Sequence, residues 1–242
     1  MRYAVLSDIH GNLEALEAVL GELTGEKIDE YLCIGDVVGY GADPAQCIKI
    51  IRSLTPAAFV SGNHEWGTAG FLELDYFNEY ARRAVEWTRG ALSCCDIDYL
   101  KSSKLICEYN GFTLVHGGLK EPSKFPYIVD SQDAYSNMSL MNNGLCFIAH
   151  THIAEIYRSV KGGAIRLEHN SFKIEEGVKY VVNVGSVGQP RDMDPRASYA
   201  VFDSAEERIE IKRVCYDFTR TQAKILKAGL PEMFALRLSE GR

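Results

Sequence analysis

Two hydrophobic periodicities alternate over the first sixty residues, and this alternation limits the possible folds more than any other feature of the chain. Tyr3 to Leu6 is a compact apolar run. Leu13, Leu16, Val19, Leu20 and Leu23 follow at the spacing that lays one apolar stripe along a helix. Asn12 stands where its side-chain oxygen can accept from an orphaned N–H of the first helical turn. Tyr31 to Ile34 reads as a second strand and Ala58 to Val60 as a third. Between them, Asp43-Pro44 opens a second helix with a capping carboxylate and a proline at the first helical position. This β-α-β-α-β order implies parallel strands joined by right-handed crossovers.

Beyond residue 65 the pattern changes. Residues 66–90 read as one long polar-aromatic helix carrying Trp66, Phe71, Tyr76, Phe77, Tyr80 and Trp87. Strand-like runs follow at 104–109, 112–115 and 145–149, then a hairpin of 153–160 and 164–168 turning on Gly162-Gly163. Runs at 179–184, 198–202 and 207–214 are spaced too closely for helical crossovers, which predicts a largely antiparallel second half. A helix from about Thr219 to Leu226 completes the core. No repeat or linker divides the chain, so a single α/β domain spanning 1–242 is expected.

The polar residues at the strand ends carry the chemistry. Asp8 and His10 follow the first strand, Asp36 the second, and Asn63 with His64 the third. In an open parallel sheet these carboxyl ends share one edge, where ligands bind. His116 ends the 112–115 run, and His150 and His152 end the 145–149 run; only His169 lies elsewhere. A lone loop histidine is more often a solvated or capping residue, but so many ligand-type residues at equivalent positions are hard to explain as packing. Gly11, Gly35, Gly62, Gly117 and Gly118 adjoin them and permit tight turns. A mixture of imidazole, carboxylate and one amide suits manganese, iron, zinc or nickel. Seven candidate ligands with one shared carboxylate suit two such divalent ions.

Composition adds a constraint on the ligand. With 26 Lys plus Arg against 33 Asp plus Glu the net charge is −7, which disfavours a nucleic-acid coat or an anionic membrane as partner. A negatively charged substrate must then be held by local charge, from metal ions or a few arginines. No apolar run approaches the ~20 residues of a membrane helix, and the N-terminus lacks the long apolar stretch of a signal peptide, so a cytoplasmic protein is expected. Seven cysteines without a C-x-x-C pair fit reduced, mostly buried thiols.

The ordered set Asp8-Ile9-His10, Gly35-Asp36, Gly62-Asn63-His64-Glu65, Val115-His116-Gly117-Gly118 and His150-Thr151-His152 resembles the motifs of the calcineurin-like metallophosphoesterase superfamily. The stretch from Asn183 to Arg191 is similar to the bacterial and archaeal phosphodiesterase-type branch. The resemblance implies a two-sheet β-sandwich flanked by helices, in four layers α-β-β-α. It also implies hydrolysis of phosphodiester or nucleotide-type phosphate esters by a metal-bound hydroxide. One ion would take Asp8, His10, Asp36 and His152, and the other Asp36, Asn63, His116 and His150. His64 would face the substrate and protonate the leaving oxygen.

Several positions depart from the family pattern. Gly39 replaces the second aspartate of the G-D-x-x-D-R-G motif, leaving Glu65 or the substrate phosphate as the anionic neighbour of His64. Tyr40 replaces the motif's phosphate-binding arginine, with Arg191 as first substitute and Arg196 as second, each weighed against a surface salt bridge. With one arginine at the site, a singly charged diester is expected to be preferred over a monoester dianion. Ala149 stands where the family has glycine, a one-methyl change that should be tolerated. The aromatics of 66–90, assisted by Tyr40, could wall a nucleobase, although a packed helix face explains them better. Arg82-Arg83 reads as a solvated face. The alternatives are a serine/threonine-type or general phosphomonoesterase, and a non-catalytic scaffold of the same fold. A homo-oligomer is compatible with all of these.

Overall fold

The computed structural model describes residues 1–242, and at the N-terminus the alternation becomes β1 (Arg2–Leu6), α1 (Leu13–Leu23), β2 (Glu30–Cys33), α2 (Pro44–Ser53) and β3 (Ala58–Phe59). β2 pairs in parallel with both β1 and β3. Asn12 caps α1, its Oδ1 accepting from Ala15 N at 3.1 Å. Asp43 precedes α2 without capping it, because its carboxylate accepts instead from Lys224 Nζ at 2.7 Å. A charge-assisted pair in a half-buried setting outweighs a neutral cap.

Residues 66–90 are not one helix. They divide into the end of α3 (Asn63–Ala69), a 3-10 turn at Leu74–Tyr76 and α4 (Glu79–Ala91). Gly70, at φ 84°, ends α3 in the left-handed conformation, and Asn78 starts α4 by accepting from Ala81 N at 3.0 Å. Next come α5 (Cys94–Lys101), β4 (Ile106–Tyr109), β5 (Phe112–Val115), α6 (Ser131–Leu140), β6 (Leu145–Ile148), β7 (Ala154–Val160), β8 (Gly163–Leu167) and β9 (Ser171–Lys173). The chain ends with β10 (Tyr180–Val184), β11 (Ala197–Asp203), β12 (Arg208–Val214), α7 (Phe218–Lys227) and α8 (Glu232–Glu240). The helix expected from about Thr219 to Leu226 is α7, and α8, which was not expected from the sequence, follows it as the second arm of a helical hairpin.

Twelve strands form two six-stranded sheets, ordered β3-β2-β1-β11-β12-β9 and β4-β5-β6-β10-β7-β8. Both sheets are mixed, and the strands of the second half pair largely antiparallel as expected, with one exception: β6 runs parallel to both β5 and β10. Spacing between consecutive strands could not show this. α6 supplies the crossover from β5 to β6, and β10 returns to β6 only after β7, β8 and β9 have intervened.

Three apolar layers hold the sandwich together. Between the sheets lie Tyr3, Val5, Leu32 and Phe202 against Phe112, Phe147, Tyr180 and Val182. The other face of the first sheet packs on α1, α2 and α5 through Leu16, Val19, Ile48, Ile51 and Leu100. The other face of the second packs on α6 through Ala134 and Met138. Burying apolar surface on both faces of each sheet drives the four-layer arrangement and fixes which strand ends share a rim. All seven cysteines are free thiols, but only Cys33, Cys47 and Cys146 are buried, whereas Cys94, Cys95 and Cys215 are exposed. No helix is long and apolar enough to cross a membrane.

Candidate metal centre

Ends of strands from both sheets meet at one rim. Asp8 and His10 follow β1, Asp36 follows β2, Asn63 and His64 begin α3, His116 follows β5, and His150 and His152 follow β6. All eight are at most 5 % exposed. Asp8, His10, Asp36, His150 and His152 have φ between 49° and 71°, a left-handed conformation that residues with side chains rarely adopt. The loops turn sharply enough to aim all these side chains into one space, and the surrounding packing holds the strain. Gly35, at φ 97°, lets two of the loops touch, since a Cβ there would collide with Gly62 N and lie 2.8 Å from His116 Nδ1.

The imidazoles are oriented by the backbone. Nδ1 of His10 faces Val38 O at 2.9 Å, that of His116 faces Ile34 O at 2.8 Å, and that of His152 faces Gln189 O at 2.6 Å. Such carbonyls fix the tautomer with the proton on Nδ1 and leave Nε2 as a donor to a metal. The Nε2 atoms of His10 and His152 lie 3.0 Å apart. His152 Nε2 is 3.3 Å from Asp8 Oδ1, and His116 Nε2 is 3.2 Å from Asp36 Oδ2. The other Asp36 oxygen, Oδ1, accepts from His64 N at 2.9 Å, so Oδ2 alone is presented to the cluster.

The cluster fits divalent ions. Asp8 Oδ1, Asn63 Oδ1, His116 Nε2 and His150 Nε2 are buried without a hydrogen-bond partner. Buried polar atoms are nearly always satisfied, so four orphans at one rim, all of ligand type, call for a partner the polypeptide does not provide. Three overlapping groups have donor atoms close enough for an ion: Asp8, His10 and His152; Asp36, His116 and His150; and His10, Asp36 and His64.

The protonation states agree. Burial pushes the His150 and His152 imidazoles down, reinforced by the charge of His116 on the first and of Arg191 on the second. Both are therefore neutral, the form a metal needs. Burial would depress His116 as well, but Asp36 and Asp8 raise it to about 10. Burial would raise Asp36, yet the surrounding imidazoles, His116 first, hold it well below the usual carboxylate range. An imidazolium–carboxylate pair thus occupies the space where a cation would replace the proton.

His64 is enclosed by rings. It packs edge-on against Tyr40 at 4.5 Å, His10 at 4.9 Å and Phe77 at 5.5 Å between centroids. Its Nδ1 is buried and unpartnered, and it faces Gly39 so closely that a Cβ on that residue would collide with it. Gly39 therefore makes room for the imidazole, and the packing of rings orients it in place of an aspartate. Burial pushes the His64 pKa down to about 3 despite the charge of Asp36. Glu65 is not its anionic neighbour: its carboxylate accepts from the backbone N–H of Asp36, Val37, Val38 and Gly62, at 2.6, 2.7, 3.3 and 2.8 Å. It clamps the second strand-end loop to the third.

Tyr40 lies against His10, His64 and Phe234, so it lines the site rather than offering an open stacking face. Trp87 packs with the α7–α8 hairpin, and Phe77 with Ala81 and Val85. Phe77 and Trp87 therefore pack inward. Phe71, Tyr76 and Tyr80 are exposed, so the aromatics of 66–90 do not form the single packed helix face the sequence suggested. Arg82 and Arg83 are exposed as expected. Ala149 is buried in the inter-sheet layer without disturbing the turn that follows.

Arg191 is at the site. Its N–H donates to His152 O at 3.1 Å, and its guanidinium lies 5.7 Å over the Tyr40 ring and donates to Gln189 Oε1 at 2.9 Å. Arg196 instead pairs with Asp194 at 2.7 Å, as a surface salt bridge would. Two rim residues have no motif that sequence could have revealed. Tyr127 stacks on His150 with ring centroids 4.0 Å apart and planes at 12°. Arg237 lies on α8 one turn after Phe234, whose ring packs on Tyr40 at 4.7 Å, a placement only the fold creates. Desolvation and the charge of Arg191 lower its pKa.

Comparison with known proteins agrees with this arrangement. The sequence profile described as calcineurin-like phosphoesterase matches residues 1–183. An uncharacterised protein of Methanocaldococcus jannaschii is 40 % identical over 243 residues, covering 99 % of this chain and 98 % of its own. The crystal structure of a metallophosphoesterase from Sphaerobacter thermophilus superposes with a TM-score of 0.89 at 38 % identity, over 100 % of this chain and 99 % of that one. A hypothetical protein from Pyrococcus horikoshii shares the fold, with a TM-score of 0.81 at 20 % identity over 100 % and 98 % of the two chains.

Proposed function

The chain belongs to the calcineurin-like phosphoesterase family, and on that premise we propose that it hydrolyses phosphodiester or nucleotide-type phosphate esters at the rim where the two sheets meet. The family uses divalent metal ions. In our reading one ion is held by Asp8, His10, Asp36 and His152, and a second by Asp36, Asn63, His116 and His150, manganese, iron, zinc or nickel suiting the donor set. Such ions supply Lewis-acid polarisation of the phosphoryl oxygens and neutralise their charge.

The chain's own residues do the rest. Asp36 would be the ligand both ions share, its Oδ2 facing the cluster while its Oδ1 accepts from His64 N and ties the second loop to the third. His64 delivers a proton to the leaving oxygen. Burial leaves its imidazole neutral before substrate arrives, and with Glu65 committed to backbone N–H groups the incoming phosphate is the anion that favours its protonated form. Arg191 steadies a non-bridging oxygen through a charge-assisted hydrogen bond.

The observation that carries this reading is the set of four orphaned, buried ligand atoms at one rim. Metal-reconstituted protein should turn over chromogenic mono- and bis-nitrophenyl phosphates and members of a dinucleotide panel, and a chelator should abolish the turnover. Absence of metal-dependent hydrolysis across the panel would leave only a non-catalytic scaffold of the same fold.

A further inference from the structure

Arg191 and Arg237 stand out because nothing in the protein neutralises them. The acids nearest Arg191 in sequence are engaged elsewhere, Asp192 by Arg213 and Asp194 by Arg196. Glu240, one turn beyond Arg237, pairs with Arg242 at 3.5 Å. Arg191 finds only the neutral Gln189 amide, and its Nε is buried without a partner. Half-buried Arg237 forms no ion pair, and desolvation together with the charge of Arg191 lowers its pKa. In a chain of net charge −7, two half-buried guanidiniums with no acid between them repel each other at a cost that an anionic ligand would remove.

The two arginines are also held in one frame. The loop carrying Arg191 is tied to the metal-ligand loop by Arg191 N to His152 O at 3.1 Å, and to the end of α8 by Met193 N to Gly241 O at 2.9 Å. Gly241, at φ 67°, permits that approach, since a Cβ there would lie 2.6 Å from Asp194 N. On the other side Phe234, one turn before Arg237, packs on Tyr40 at 4.7 Å. The same Tyr40 ring touches His10 at 4.4 Å and lies under Arg191 at 5.7 Å. Tyr40 thus lies between the histidine–aspartate cluster on one side and Arg191 and the Phe234 face of α8 on the other, touching each.

We propose that Arg191 and Arg237 form a second anion subsite beside the metal cluster, taking a phosphate adjacent to the one hydrolysed. Resting on the phosphoesterase reading, this narrows the substrate class to phosphate esters that carry two neighbouring phosphates, such as nucleoside diphosphate derivatives. It also revises the charge count that favoured simple diesters, which saw one arginine where the fold supplies two.

Equilibrium titration of the metal-loaded, full-length protein tests the subsite without requiring turnover. Methylenediphosphonate carries two adjacent phosphonates and methylphosphonate one. The wild type should bind the first more tightly by about tenfold or more, the scale of one charge-assisted hydrogen bond. Arg237→Met, which keeps the packed stem and removes the charge, should erase most of that ratio, Arg237→Lys should retain part of it, and Arg242→Ala should leave it unchanged. Melting curves for each variant verify that the fold persists. An unchanged ratio in Arg237→Met, or equal affinity of the wild type for both probes, overturns the subsite. If the ratio behaves as expected while no phosphate ester is hydrolysed, the subsite stands and the enzymatic reading falls.

Discussion

The strand-end loops between Asp8 and His152 and the segment that follows Val184 contribute to the same site in different ways. The loops supply every candidate ligand, and short-range geometry defines them: left-handed turns at strand ends, backbone carbonyls facing ring Nδ1 atoms, and the Glu65 clamp. The later segment lies outside the 1–183 family match and supplies Arg191 and Arg237. Backbone bonds from Gly188 N to Asp8 O at 2.8 Å and Arg191 N to His152 O at 3.1 Å hold its first loop at the site. Its helices are latched to the N-terminal half by Lys224, which binds Glu14 at 2.6 Å and Asp43 at 2.7 Å, and by Thr221 Oγ1, which donates to Asn12 Oδ1 at 3.0 Å. On the proposed reading, chemistry would sit where the backbone is most constrained, and recognition of the rest of the substrate on a segment latched on from elsewhere in the fold. Reaction chemistry and substrate preference should therefore be separable by mutation.

The largest effect should come from Asp36→Asn, the substitution at the proposed shared ligand. Elemental analysis should show both ions depleted, and turnover should fall by about 10⁴-fold or more, since Lewis-acid stabilisation is worth several kcal/mol. A fully loaded Asp36→Asn protein would contradict its place between the ions.

His64→Ala should retain both ions and lose about 10²–10⁴-fold in turnover on esters with poor leaving groups, and less on nitrophenolates, which need little protonation. Gly39→Ala should imitate it, because the added methyl displaces the His64 ring and a side chain is strained at φ 91°. Equal losses on good and poor leaving groups would assign His64 to positioning instead.

In the later segment, Arg191→Ala should cost about 1.5–3 kcal/mol in kcat/KM without altering metal content, the range for a hydrogen bond to a charged group. Loss of metal in this variant would erase the distinction between the two regions, because Arg191 would then be supporting the His152 loop.

The smallest effect on chemistry should come from Lys224→Met. It leaves Glu14, which is almost fully buried, and Asp43 without the ammonium and should lower stability in chemical denaturation by about 2 kcal/mol. Metal content and turnover of a simple aryl ester should stay close to wild type. A drop in turnover matching that of His64→Ala would show that the hairpin holds His64 in place through Tyr40.

The sequence by itself determined the β-α-β-α-β start, the cap at Asn12, the family and the convergence of Asp8, His10, Asp36, Asn63, His116, His150 and His152. Each of these rests on local periodicity or on residue types placed at strand ends, which the parallel topology gathers onto one edge. Only the tertiary structure decided the rest. It divided 66–90 at Gly70 and Asn78, sent the Asp43 carboxylate to Lys224, gave Glu65 to the backbone, and made the second sheet mixed by returning β10 beside β6. It also brought α8, which carries Arg237, against Tyr40 and the Arg191 loop, and left Arg196 with Asp194. In each of these cases a side chain or strand has competing partners at similar local cost, and long-range packing selects among them, which periodicity and spacing do not record.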